Sequence, residues 1–157
     1  MFVPTKMSLP FNARRKLGDL LVSLSNLPHT FHLAGSYFFK VARSDSDVDL
    51  YAAYSSQLLD DLKHLGFFEL GSAHDGQYDE IVKPLDPNSN THAVMAHTKL
   101  RVHIQVFYDL DLALKTRDIL AGAFNAEHTR TRGPERAQMW RVAEAAARDL
   151  TALATPA

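Results

Sequence analysis

The stretch Asp47-Val48-Asp49-Leu50 constrains this chain more than any other four residues. Polar and apolar side chains alternate there, and successive side chains on a β-strand leave opposite faces. Val48 and Leu50 therefore enter a core, and Asp47 and Asp49 share the other face, roughly 6.5–7 Å apart along the chain. Two carboxylates held so close repel one another unless a cation lies between them. Hard divalent cations such as magnesium take oxygen donors of this kind. In phosphoryl and nucleotidyl transfer, paired metals about 3.5–4 Å apart hold the attacking and leaving oxygens. Taken alone, Asp-x-Asp is more often a solvated junction than a site. The segment before it changes that balance.

Leu33-Ala34-Gly35-Ser36 reads as a strand, from Thr30 to Ala34, running into a tight turn and a short helix over roughly Ser36 to Ala42. Glycine lets the backbone turn sharply and approach a ligand closely. The first amides of the helix attract phosphate, and the Ser36 hydroxyl adds a donor. Lys40 lies four residues on, over the same helix face, and Arg43 is close by.

The run from Leu33-Ala34-Gly35-Ser36 through Ser44-Asp45-Ser46-Asp47-Val48-Asp49-Leu50 resembles the signature of the DNA polymerase β-like nucleotidyltransferase superfamily, closest to its minimal members. That signature is apolar-Gly-Ser, a short helix, then Ser-Asp-x-Asp-apolar. The motif covers about the first third of the chain, and the order of elements carries the likeness to about residue 110. The resemblance implies a mixed β-sheet flanked by helices. It also implies transfer of a nucleoside monophosphate from an NTP to a hydroxyl of an acceptor, which could be RNA, a protein or a small molecule. By that likeness Gly35, Ser36, Lys40, Arg43 and Ser46 hold the nucleotide, and Asp47 and Asp49 bind Mg2+ or Mn2+.

The family usually adds a third carboxylate from a later strand. Here the matching strand is Arg101 to Tyr108. Val102, Ile104 and Val106 form its core face, and His103, Gln105 and Phe107 the face shared with the aspartates. No carboxylate stands at either expected position. Gln105 is the first match and His103 the second. A neutral amide offers an oxygen but cannot act as a base, whereas histidine can near neutrality. Asp109 and Glu80 are remoter substitutes.

The element order alternates helix, strand, helix, strand, helix, then several strands, then helices, an α+β (mixed α/β) pattern. At 157 residues the chain is expected to form one domain, with a core over about 11–123 and a last helix over about 134–153. An amphipathic helix precedes Pro28, with Phe11, Leu17, Leu20, Leu21, Leu24 and Leu27 as core. Ser55 or Ser56 caps the helix carrying Leu58, Leu59, Leu62 and Leu65. Strands are expected near Phe67 to Ala73, Tyr78 to Leu85 and His92 to His97. The last helix is read with Met139, Val142, Ala146, Leu150 and Leu153 on its inner stripe.

A net charge of -1 gives no global attraction to nucleic acid or anionic membrane. No cysteine is present, so a disulfide frame and a thiolate zinc site are excluded. His92, His97 and His103 are too scattered for a zinc reading. Without a membrane-length apolar run or a signal-peptide pattern, the expectation is a cytoplasmic protein. Arg130, Arg132 and Arg136, with Lys115 and Arg117, offer a contact surface for an RNA acceptor, although a solvated helix end accounts for them as well. Lys83, Lys99 and Arg101 lie near the expected site. The rival expectation is a retained nucleotidyltransferase fold with a degenerate site, acting as a nucleotide-binding or protein-binding regulatory module.

Overall fold

The computed structural model describes residues 11–39, 47–70, 90–123 and 134–154. Within them the order is α1 (Phe11–Ser25), β1 (His32–Ala34), α2 (Gly35–Phe38), β2 (Val48–Ala53), α3 (Ser56–His64), β3 (Phe67–Glu69), β4 (Thr91–His97), β5 (Val102–Phe107), α4 (Leu110–Ala123) and α5 (Pro134–Ala154). The strand expected over Tyr78 to Leu85 lies outside the described residues, as do Lys40, Arg43, Ser46, Glu80, Lys83, Arg130 and Arg132. The side chains of Phe11, Leu17, Arg136 and Leu153 lie outside them too.

The class is α+β. A five-stranded mixed sheet runs β1-β2-β5-β4-β3. The central β2 and β5 are parallel, and every other pair is antiparallel. Alternation gives the sheet two apolar faces. On one, Leu33, Val48, Leu50, Ala52, Val102, Ile104 and Val106 meet Leu20, Leu21 and Leu24 of α1 and Leu58 and Leu62 of α3. On the other, Tyr51 and Phe107 meet Ala113 of α4, with Trp140 of α5 packed against them.

Local signals explain the joins. The Ser55 hydroxyl accepts from Leu58 N at 3.0 Å and starts α3, satisfying an amide that the first turn leaves open. The β4–β5 turn is held by His97, whose Nδ1 accepts from Lys99 N at 3.1 Å and Leu100 N at 3.0 Å. At the sheet's far end, Asn90 accepts from Asp109 N and donates to Asp109 O, both at 2.7 Å.

Two expectations need correction. The first helix is not continuous: Gly18 takes φ 46, ψ −122, breaking α1 in a region of backbone space that other residues rarely enter. In α5 the inward residues are Ala143 and Ala147, at 3% and 0% exposure, while Val142 and Leu150 are 60% and 57% exposed. Alanines win the inner face because a side chain of one carbon lets two helices approach closely.

Candidate functional site

β1 and β2 together build the site's floor. Their antiparallel register sets Ala34 opposite Asp49, so the chain leaving β1 turns directly over that aspartate. Gly35 makes the turn at φ 65. A Cβ placed on it would collide with Asp49 Oδ2 and lie 2.9 Å from both Cβ and Cγ of Asp49. Glycine is required here twice, by conformation and by space. Phe39 N donates to Gly35 O at 3.0 Å, closing the single turn of α2. Ser36, half-buried, is the next residue.

β5 adds the cationic half. The parallel register pairs Asp49 with His103. His103 Nδ1 lies 3.6 Å from Asp47 Oδ2 and 3.6 Å from Asp49 Oδ1, so the ring stands between the carboxylates. Arg101 Nε donates to Asp47 Oδ1 at 2.8 Å. Burial pulls the His103 pKa down, but the hydrogen bond and charge of Asp49, then the charge of Asp47, outweigh it, and the net shift is upward against a smaller opposing effect of Arg101.

Tyr51 forms the rear wall. It leaves β2 on the face of Asp49 and pairs in register with His32 and Gln105. Burial, and behind it the Asp49 charge, push its phenol pKa well up, with Arg117 opposing. Arg117 fastens α4 to the segment around the turn. Its Nη1 donates to Leu33 O at 2.8 Å, and its guanidinium lies 4.0 Å from the centre of the Phe38 ring. The same cation, after burial, lowers the His32 pKa.

The other expected residues go elsewhere. Gln105 stands one pair along from His103, opposite Tyr51, and donates to Thr91 Oγ1 at 3.1 Å. His103, not Gln105, is thus the β5 residue beside the aspartates. Asp109 caps α4, accepting from Leu112 N at 3.1 Å. Lys115 donates to Thr151 Oγ1 at 3.1 Å and ties α4 to α5. His97 serves the β4–β5 turn and lies 3.0 Å from Leu65 O. His92 packs among Tyr54 and Tyr108. The role of Arg117 was not legible beforehand, because its partner Leu33 O is 84 residues away.

Asp47 and Asp49, half-buried and side by side, supply oxygen donors suited to a hard divalent cation. Among the described residues no group of three or more His, Cys, Asp or Glu side chains has metal-holding geometry. No described helix is long and apolar enough to cross a membrane. No family model, curated protein or solved structure matches this chain.

Proposed function

We propose that this chain is a nucleotidyltransferase of the DNA polymerase β type, moving a nucleoside monophosphate from an NTP to an acceptor hydroxyl. The observation that carries the reading is the seating of the Gly35 turn on the Asp49 side chain. Two short signals fourteen residues apart at their outer ends meet at one point, which chance matches to short motifs have no reason to do. The turn offers backbone amides and the Ser36 hydroxyl to phosphate, and the aspartates sit beside it. Asp47 and Asp49 would hold Mg2+ or Mn2+, which neutralises phosphate charge when bound. Lys40, Arg43 and Ser46 belong to the same nucleotide site by sequence position. The acceptor oxygen attacks the α-phosphorus in line, pyrophosphate leaves, and the hydroxyl proton passes to a base. His103 in its neutral form is the candidate base. The acceptor is RNA, a protein or a small molecule, and the protein acts in the cytoplasm.

The test is incubation with each labelled NTP, magnesium and a cell extract. Label should enter an acceptor with the wild type and not with Asp47→Ala/Asp49→Ala. Equal labelling by both, or by neither, counts against the proposal.

A second reading is favoured by one specific observation. Arg101 already neutralises Asp47, and His103 stands between both carboxylates. A site closed by its own cations suits a degenerate nucleotidyltransferase fold acting as a regulatory module. Calorimetry with a non-hydrolysable NTP separates the two: binding that requires magnesium supports the enzyme, and its absence supports the module.

A further inference from the structure

The Gly35-Ser36 turn lies between two elements too short to hold it. β1 has 3 residues and stands at the edge of the sheet. α2 is a single turn of 4 residues, and Ala34 gives it no side-chain cap. Helices of that length do not persist by themselves. Gly35 rests on Asp49, but that contact only limits how closely the turn approaches. The fastening comes from α4, at a residue 84 positions along the chain from Leu33. Arg117 Nη1 donates to Leu33 O at 2.8 Å, just before the turn. The same guanidinium lies 4.0 Å from the centre of the Phe38 ring, just after it. One side chain therefore grips the turn from both sides.

The grip is specific to a guanidinium. Nε and Nη2 both reach Asp118 Oδ1, at 3.1 and 3.0 Å. With Nη1 on Leu33 O, every nitrogen serves an acceptor within the chain, and the flat face is left for Phe38. The Arg117 side chain is only 15% exposed, and α4 is anchored by the buried Leu112, Ala113 and Leu120. A lysine has no planar fork with which to donate to Leu33 O and Asp118 while covering a ring. We propose that Arg117 is a positioning residue for the nucleotide. It sets where the Gly35-Ser36 turn stands over Asp49, and so whether the Ser36 hydroxyl and the amides beside it meet a triphosphate at the aspartates. The inference rests on the nucleotidyltransferase reading. Arg117 acts through the turn and not on the ligand, because its nitrogens are already engaged.

The test uses the full chain, magnesium and the α,β-methylene analogues of ATP, GTP, CTP and UTP, read by calorimetry. Arg117→Lys and Arg117→Gln should each bind the wild type's preferred analogue about tenfold more weakly, as loss of one charged hydrogen bond implies. Phe38→Leu keeps Arg117 and removes only the ring, and should weaken binding about threefold. Hydrogen exchange at the Phe39 amide, which donates to Gly35 O, should quicken in both Arg117 variants. The Leu58 amide, held by Ser55 Oγ, should keep its rate. Thr151→Ala removes the acceptor of Lys115 Nζ and loosens α4 from α5; it should leave nucleotide affinity unchanged. An equal loss of affinity in Thr151→Ala makes Arg117 a general support of the fold and overturns the inference. Full affinity in Arg117→Lys, or unchanged exchange at Phe39, also overturns it. A wild type that binds none of the four analogues sinks the nucleotidyltransferase reading, and the inference with it. A wild type that binds, beside Arg117 variants that bind equally well, sinks the inference alone.

Discussion

Asp49 and Tyr51 leave the same strand on the same face, two residues apart, yet they live in different media. The Asp49 side chain is 37% exposed and shares His103 with Asp47. Tyr51 is 8% exposed and packs edge-on against Phe107 and Trp140. The strand does not distinguish these positions; the covering layer does. α4 and α5 roof the sheet over Tyr51 and Phe107, while the face at Asp47 and Asp49 stays partly open. Burying two paired carboxylates costs several kcal/mol in desolvation, which their partners only partly offset. Ionised chemistry on this face is therefore confined to the end that the helices leave open.

The largest effect should come from breaking the covered end. Phe107→Ala empties a fully buried site, and urea unfolding should show a loss of about 3–5 kcal/mol. A loss below about 1 kcal/mol would mean that the roof does not pack as described.

At the open end Gly35→Ala comes next. It forces a left-handed backbone on alanine and drives its Cβ into Asp49, costing about 2–3 kcal/mol by strain of this kind. Asp49→Ala in the same chain should recover part of that loss, because the Oδ2 and Cγ contacts vanish. A double-mutant cycle measures the coupling, expected at about 1 kcal/mol; strict additivity would separate the turn from the aspartate.

The third effect is a dependence on pH. His103 has its folded pKa raised above the ordinary 6.5. Its contribution to stability is fully present below 6.5 and is lost as pH rises through the raised value. Unfolding midpoints should show that loss in the wild type and a flatter profile in His103→Gln. NMR titration of the ring should show its pKa falling in Asp49→Asn; an unmoved pKa would remove Asp49 as its cause.

The smallest effect belongs to Arg101→Ala. The pair it makes with Asp47 is 67% and 34% exposed, so thermal melts should register at most about 0.5–1 kcal/mol. In nucleotide binding the same substitution should act in the opposite sense, by freeing Asp47 for a cation.

Much of this arrangement was legible in the residues. Alternation placed Val48, Leu50, Val102, Ile104 and Val106 in the core, and the Gly-Ser turn announced a close backbone approach. Register was not legible. Period two gives His103 and Gln105 the same face but does not say which stands beside Asp49; that depends on how two strands align across a long loop. Nor could periodicity choose between the two apolar faces of α5, since the alanines that pack inward are less hydrophobic than the valine and leucine left outside. The break at Gly18 is a backbone conformation, and an apolar pattern of leucines passes across it unchanged.

The parallel pairing of β2 with β5 also sets an order of assembly. Gln105 and Thr91 meet across 14 residues of chain, Arg101 and Asp47 across 54. Closing the longer loop costs about 1 kcal/mol more in chain entropy, and non-local pairings form late. The β4–β5 hairpin is thus the template, and β2 is the strand that joins it. Every contact between the aspartates and His103 appears only at that last joining. A chain stalled before it would hold a hairpin and no site, so the upward shift of the His103 pKa is a marker of completed folding.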